Sequence, residues 1–245
     1  MSVRIQLLGT GDALGNGGRF QTCFHLQVGW ESLLLDCGAS SLIALKRSGI
    51  ETSSIGAILL THLHGDHFGG IPFLLLDGQY SHRKLPLLVA GPAGTERRVA
   101  DAMEIFFPGS TTVDRAFSLE FMEYPARHSV TVGLAQVTAY PVPHESGAPS
   151  FALRIEAGGR TLAYSGDCEW DEALVEASRG ADLFICEAYS FEKRIRNHLD
   201  HATLARHRRT LESRRVLLTH MGPEMLASRS RSLFESAHDG MSIEL

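Results

Sequence analysis

Ala57-Ile58-Leu59-Leu60-Thr61-His62-Leu63-His64-Gly65-Asp66-His67-Phe68-Gly69-Gly70 decides how the rest of this chain is read. Residues 57–61 form a continuous apolar run of strand length, the pattern of a strand buried on both faces. The next six residues present three imidazoles and one carboxylate. A chain leaving a strand points alternate side chains one way, so His62 and His64 can reach one ion. Asp66 and His67, beyond Gly65, can reach a second. Imidazole and carboxylate are the donors expected for Zn²⁺, Mn²⁺ or Fe²⁺. A histidine-rich surface loop is the bland alternative. Four donors at this spacing, between an apolar strand and Gly69-Gly70, weigh against it.

Outward from this stretch, strand and helix patterns alternate without a linker or low-complexity segment. Strand patterns cover residues 5–8, 24–28, 32–36 and 85–90, with a short helix at Ser41–Arg47 and a longer one over 95–107. Residues 117–155 are β-rich and broken by prolines and glycines. Gly158-Gly159 then turns the chain into a strand at 161–164. Helix, strand, helix and strand follow at 169–178, 182–186, 203–212 and Val216–Thr219, and Met241–Glu244 closes the pattern. The order echoes itself. Leu33-Leu34-Leu35-Asp36-Cys37 resembles Leu162-Ala163-Tyr164-Ser165-Gly166-Asp167-Cys168, and Ile58-Leu59-Leu60-Thr61-His62 resembles Val216-Leu217-Leu218-Thr219-His220. In each half a strand ends in aspartate and a later one in Thr-His, which favours a pseudo-symmetric sandwich with its site where strands end.

Composition bounds the class. At 245 residues, 44% hydrophobic and 21% charged, residues 1–245 can form a single large α/β domain with a substantial core. A formal charge of −5 argues against a general nucleic-acid binder. No apolar run approaches the ~20 residues that span a bilayer, so no membrane association is expected. The amino terminus runs into a strand pattern rather than a signal peptide. Cys23, Cys37, Cys168 and Cys186 are dispersed with no C-x-x-C pair, and are expected as reduced, mostly buried thiols in a cytoplasmic protein.

The His62-x-His64-x-Asp66-His67 motif resembles the signature of the metallo-β-lactamase superfamily, and further matches follow in order. His144 in Pro143-His144-Glu145-Ser146 is similar to the third family motif. Asp167 in Ser165-Gly166-Asp167 matches the bridging aspartate, and His220 matches the last histidine. Taken singly, His144 or His220 would read as a structural histidine and Asp167 as a turn or cap residue. The resemblance covers essentially the whole chain and implies a four-layer αββα sandwich with two divalent metal ions, Zn foremost and Mn or Fe as alternatives. One ion would take His62, His64 and His144, the other Asp66, His67 and His220, with Asp167 bridging. Cys168 is read as a neighbour of the site. Oxygen-reducing di-iron members carry a carboxylate where this chain has His64, so the resemblance implies hydrolysis. Two ions about 3.5–4 Å apart share a hydroxide and clamp attacking and leaving oxygens.

For substrate class, Leu8-Gly9-Thr10-Gly11, Glu187-Ala188 and His201-Ala202-Thr203 resemble the ribonuclease Z and cyclic-phosphodiesterase branch. The resemblance pairs Glu187 with His201, the histidine protonating the leaving oxygen and the glutamate orienting it, beside Asp66 at the metals. As bare residues, Glu187 reads equally as a strand-end carboxylate and His201 as a polar group at a helix entry. Asn197-His198-x-Asp200 also resembles the phosphonate-pathway cyclic phosphodiesterase. The basic segment 193–215 could meet phosphates, although a solvated helix face is the commoner reason for such a run. Two departures weigh against long RNA. No glycine- and lysine-rich arm lies between His67 and His144, and the family's His-Glu-Ala-Thr reads Cys186-Glu187-Ala188-Tyr189 here.

The sequence therefore predicts a phosphodiesterase acting on a small or nucleotide phosphodiester. A hydrolase of lactones, thioesters or β-lactams is the alternative, and a non-enzymatic metal-binding scaffold the second. The apolar run at residues 71–76 is expected in the core, and a homodimer is an expectation of the resemblance alone.

Overall fold

The computed structural model describes Met1 to Leu245. The first half of the chain builds β1 (Val3–Gly9), β2 (Cys23–Val28), β3 (Glu31–Leu35), α1 (Ser41–Arg47), β4 (Ile55–Leu59), α2 (Gly65–Phe68), α3 (Ile71–Tyr80), β5 (Leu87–Gly91), α4 (Thr95–Phe106) and β6 (Leu119–Glu123). The second half builds β7 (Ser129–Val132), β8 (Ala135–Pro141), β9 (Phe151–Ala157), β10 (Arg160–Tyr164), α5 (Glu172–Ser178), β11 (Leu183–Glu187), α6 (His201–His207), β12 (Val216–Thr219), α7 (Pro223–Ala227), β13 (Glu235–Ser236) and β14 (Met241–Glu244). They form two seven-stranded sheets, ordered β14-β1-β2-β3-β4-β5-β6 and β13-β12-β11-β10-β9-β8-β7.

Period-two alternation explains how these sheets stack. Leu33 and Leu35 of β3, Ala57 and Leu59 of β4, Leu183 and Ile185 of β11, and Leu217 of β12 belong to one 27-residue cluster fed by both sheets. The intervening residues pack outward. Leu34 and Ile58 meet residues of α1, α3 and α4 in a second cluster, while Phe184, Cys186 and Leu218 meet residues of α5 and α6 in a third. Strands buried on both faces have no polar face to show, which is why they read as unbroken apolar runs. The result is four layers, αββα, the metallo-β-lactamase fold. The run at 71–76 becomes the start of α3, with Ile71, Leu74 and Leu75 in the core.

The internal echo holds in part. Asp36 follows β3 as Asp167 follows β10, and Thr61-His62 follows β4 as Thr219-His220 follows β12. However, β3 lies directly beside β4, whereas β11 separates β10 from β12. Helix 203–212 forms earlier than the pattern suggested, as α6, because Asp200 caps it by accepting the Thr203 amide at 2.7 Å. No helix is long and apolar enough to cross a membrane.

Candidate metal centre

The ends of β3, β4, β8, β10, β11 and β12, and the loops that follow them, deliver the histidines and carboxylates to one edge of the sandwich. His62, His64 and His144 offer ligand atoms within 4.8 Å of one another, and Asp66, His67, Asp167 and His220 do the same. Asp167 belongs to the second group and also approaches His62 of the first. Its Oδ1 is 3.3 Å from His67 Nε2, and its Oδ2 is 3.4 Å from His220 Nε2 and 3.9 Å from His62 Nε2.

Hydrogen bonds behind the imidazoles decide which nitrogen each presents. His62 Nδ1 lies 3.0 Å from Thr61 Oγ1, whose hydroxyl donates in turn to Asp36. The ring N–H therefore donates to Thr61, leaving Nε2 with a free lone pair. His67 Nδ1 is 2.7 Å from Asp36 Oδ2, and His144 Nδ1 is 2.8 Å from the Asn197 carbonyl. Both rings again present Nε2 to the centre. The His144 Nε2 then meets His64 Nδ1 at 3.0 Å. Asp36 anchors this arrangement and was legible in the sequence only as a strand-end aspartate. Its carboxylate also accepts the Thr61 amide at 2.8 Å and the Tyr164 hydroxyl at 3.0 Å.

Three buried atoms test whether a cation fits. His62 Nε2, His67 Nε2 and Asp167 Oδ1 have no hydrogen-bond partner, a costly state for buried polar atoms and one that metal coordination relieves. Charge points the same way. Burial opposes charge on His67, but Asp167, Asp66 and Asp36 outweigh it and hold its pKa well above the usual histidine value. Burial likewise opposes ionisation of Asp66 and Asp167, yet the neighbouring histidines hold both carboxyls below their usual range. Burial, reinforced by the charge on His67, pushes His62 down. Burial also lowers His64 and His144, which therefore offer neutral imidazoles. Imidazole and carboxylate donors around a pocket that favours positive charge suit metal ions.

Glu187 departs from the expected pairing. It is fully buried at the end of β11, where Oε2 lies 3.0 Å from His198 Nδ1 and 3.7 Å from His220 Nδ1. Asp167, Glu187, His198 and His220 form a further group with ligand atoms within 4.8 Å. Burial and the nearby Asp167 raise the Glu187 carboxyl against the pull of His198. Burial opposes protonation of His198, but its bond to Glu187 prevails and raises it to about 9. His201 is brought elsewhere. Its ring stacks on Phe191 with centroids 4.5 Å apart, and its Nε2 accepts the Leu233 amide at 3.1 Å. The expected Glu187–His201 pair is therefore replaced by Glu187–His198. The physical reason is that His201 is the first residue of α6, whereas His198 lies in the preceding turn, after Asn197 at φ 68°. The signal that could have found it was Asn197-His198-x-Asp200.

A cleft of about 490 Å³ opens on the centre, lined by His64, Asp66, Asp167, His198 and His220. No lysine or arginine of the basic segment 193–215 lines it; the segment contributes Ile195 and His198. Arg196 instead pairs with Glu145, and Arg215 pairs with Glu235.

Fold and site together define a metallo-β-lactamase-fold hydrolase of the ribonuclease Z-like branch. The model of the anti-Pycsar protein Apyc1 family matches residues 3–237, and the chain belongs to that family. A ribonuclease Z of Lachnoclostridium phytofermentans is 26% identical, the match covering 96% of this chain and 94% of the relative. The metallo-β-lactamase fold protein YhfI from Bacillus subtilis superposes with a TM-score of 0.81 at 20% identity, covering all of both chains. The short form of human tRNase Z gives a TM-score of 0.79 at 25% identity, covering 98% of each chain.

Proposed function

We propose that this protein is a dinuclear metal-dependent phosphodiesterase acting on a small or nucleotide phosphodiester. The observation that carries this reading is the meeting of two ligand groups at Asp167, with the Glu187–His198 pair beside them. His62, His64 and His144 would hold one ion and Asp66, His67 and His220 the other, with Asp167 shared and zinc favoured by the imidazole-rich set. When bound, the ions supply an activated water and offset the charge of the phosphoryl oxygens. His198, whose affinity for a proton is raised by its bond to Glu187, is positioned to give its proton to the leaving oxygen. Glu187 holds the ring by Nδ1, leaving Nε2 as the donating atom.

A small substrate is supported by the size of the cleft and by Tyr189, which lines it where the ribonuclease Z motif has threonine. Residues 1–245 are read as one domain, because β14 pairs with β1 and both sheets feed the central core.

The test is hydrolysis of bis-p-nitrophenyl phosphate by metal-analysed protein, beside a His198→Ala variant and a nitrocefin control. Diester cleavage with about two metals per chain, lost in the variant, supports the reading. Cleavage of nitrocefin alone would move the protein to the carboxyl-hydrolase class, and bound metal with no turnover to the scaffold class.

A further inference from the structure

The helix pattern that the sequence shows from residue 169 begins at Glu172, because Asp171 caps α5 by accepting the Ala173 amide at 2.8 Å. Residues 168–171 therefore stay in the loop that follows Asp167, and Glu169 is free to bond elsewhere. Its Oε1 accepts the Asn197 amide at 2.9 Å, and its own amide donates to the Pro143 carbonyl at 2.9 Å. One half-buried residue thus ties together the loop after β8 that carries His144, the loop after β10 that carries Asp167, and the connection after β11 that carries His198.

These ties converge on Asn197. Its φ of 68° lies in the left-handed region, which is strained for a residue with a Cβ and persists only where the surroundings hold it. Here both backbone polar groups are held: the N–H donates to Glu169, and the carbonyl accepts His144 Nδ1 at 2.8 Å. The next residue is His198, whose ring centroid stands 5.5 Å from that of His144. The direction of one backbone segment therefore sets two imidazoles, a candidate ligand and the candidate proton donor. Neither Glu169 nor Asn197 lines the cleft that opens on the centre. We propose that Glu169 is a positioning residue: by holding the Asn197 amide, it fixes His144 for the first ion and His198 for proton transfer together. The part played by His198 rests on the phosphodiesterase reading, whereas that of His144 rests only on its group with His62 and His64. Without the Glu169 acceptor the Asn197 amide loses its partner, and the strained segment relaxes and carries the carbonyl and His198 with it.

The test compares full-length wild type with Glu169→Ala, Glu169→Gln and Arg196→Ala. Arg196 pairs with Glu145 and so joins two of the same loops at the surface, without touching the Asn197 amide. Chelator competition measures the affinity of each zinc ion, and kcat and KM on bis-p-nitrophenyl phosphate are taken at saturating zinc. Glu169→Ala is expected to weaken one of the two ions about tenfold and leave the other within about twofold. It should also lower kcat about tenfold with KM within about twofold. Glu169→Gln, which keeps an oxygen acceptor, should return both readouts to within about threefold of wild type, and Arg196→Ala should leave them there. Equal weakening of both ions, no rescue by glutamine, or the same losses in Arg196→Ala would make Glu169 a general tether between loops and overturn the proposal. In an active protein, loss of metal affinity without loss of kcat, or the reverse, would overturn the shared role of Asn197. If wild type binds two ions but does not turn over the diester, the phosphodiesterase reading falls and the metal comparison alone decides Glu169. An active wild type matched by Glu169→Ala sinks the positioning role alone.

Discussion

Glu187 Oε2 lies 3.0 Å from His198 Nδ1, and this bond rather than any contact with His201 brings an imidazole to the edge of the candidate metal centre. Glu187 is wholly buried while His198 is partly open to the cleft, so the pair joins an anchored carboxylate to an accessible proton donor.

Replacing either histidine separates their roles. His198→Ala is expected to lower kcat on a phosphodiester by about 10²–10⁴-fold with metal content unchanged. His201→Ala should leave kcat within about threefold but cost about 1–3 kcal/mol of stability, because it leaves the Leu233 amide unpaired and removes the stack on Phe191. Steady-state kinetics beside urea unfolding decide it. Equal kinetic losses would return His201 to the mechanism.

His201 also predicts a pH effect on stability. Burial is the largest influence on this ring and lowers its pKa. An unfolded histidine takes up a proton near pH 6.5 while the folded ring still resists it. Its contribution is therefore present above about pH 6.5 and is lost as the pH falls toward the lower folded value. The unfolding free energy of metal-loaded wild type should drop more steeply between pH 7 and pH 5 than that of His201→Gln, as followed by urea denaturation. Parallel slopes would contradict this assignment.

Asp36 binds no ligand position itself, yet it holds His67 directly and His62 through Thr61. Asp36→Asn is expected to weaken metal affinity by about 10–100-fold, measured by chelator competition. Unchanged affinity would mean that packing alone orients the rings.

Gly38 sits where the chain crosses the ligand loop. A Cβ there would lie 2.2 Å from the Asp66 carbonyl oxygen and 2.8 Å from Gln21 Cβ. Since the first obstacle is backbone, Gly38→Ala should displace the Asp66 loop, cost about 1–3 kcal/mol or more, and reduce bound metal. Metal analysis with thermal unfolding would show it, and a variant with full metal content and unchanged Tm would refute it.

All four cysteines are free and buried. Burial pushes the Cys23 thiol up to about 12 and raises Cys37, Cys168 and Cys186 as well. Thiolate is the reactive species. A disulfide reagent at pH 8 should therefore find no fast-reacting thiol in the native protein and four in denaturant. A rapid native reaction would place one of them at the surface.

The sequence by itself determined the layered α/β pattern and the His62–His67 cluster of imidazole and carboxylate side chains, because both are local in their physics. Period-two alternation within β3, β4, β11 and β12 dictates which side chains enter the central core and which meet helices. The spacing His62-x-His64-x-Asp66-His67 places its donors within one turn of chain. Tertiary structure alone decided what depends on distant segments meeting: that Asp36 reaches across to Thr61 and His67, that Asn197 orients His144, and that β11 separates β10 from β12. It also decided between His198 and His201, which lie three residues apart and are chemically identical. The Asp200 cap starts α6 at His201 and commits that ring to Phe191, while the positive φ at Asn197 leaves His198 free to reach Glu187. Backbone direction at a helix start is set by the packing around it, and composition does not encode it.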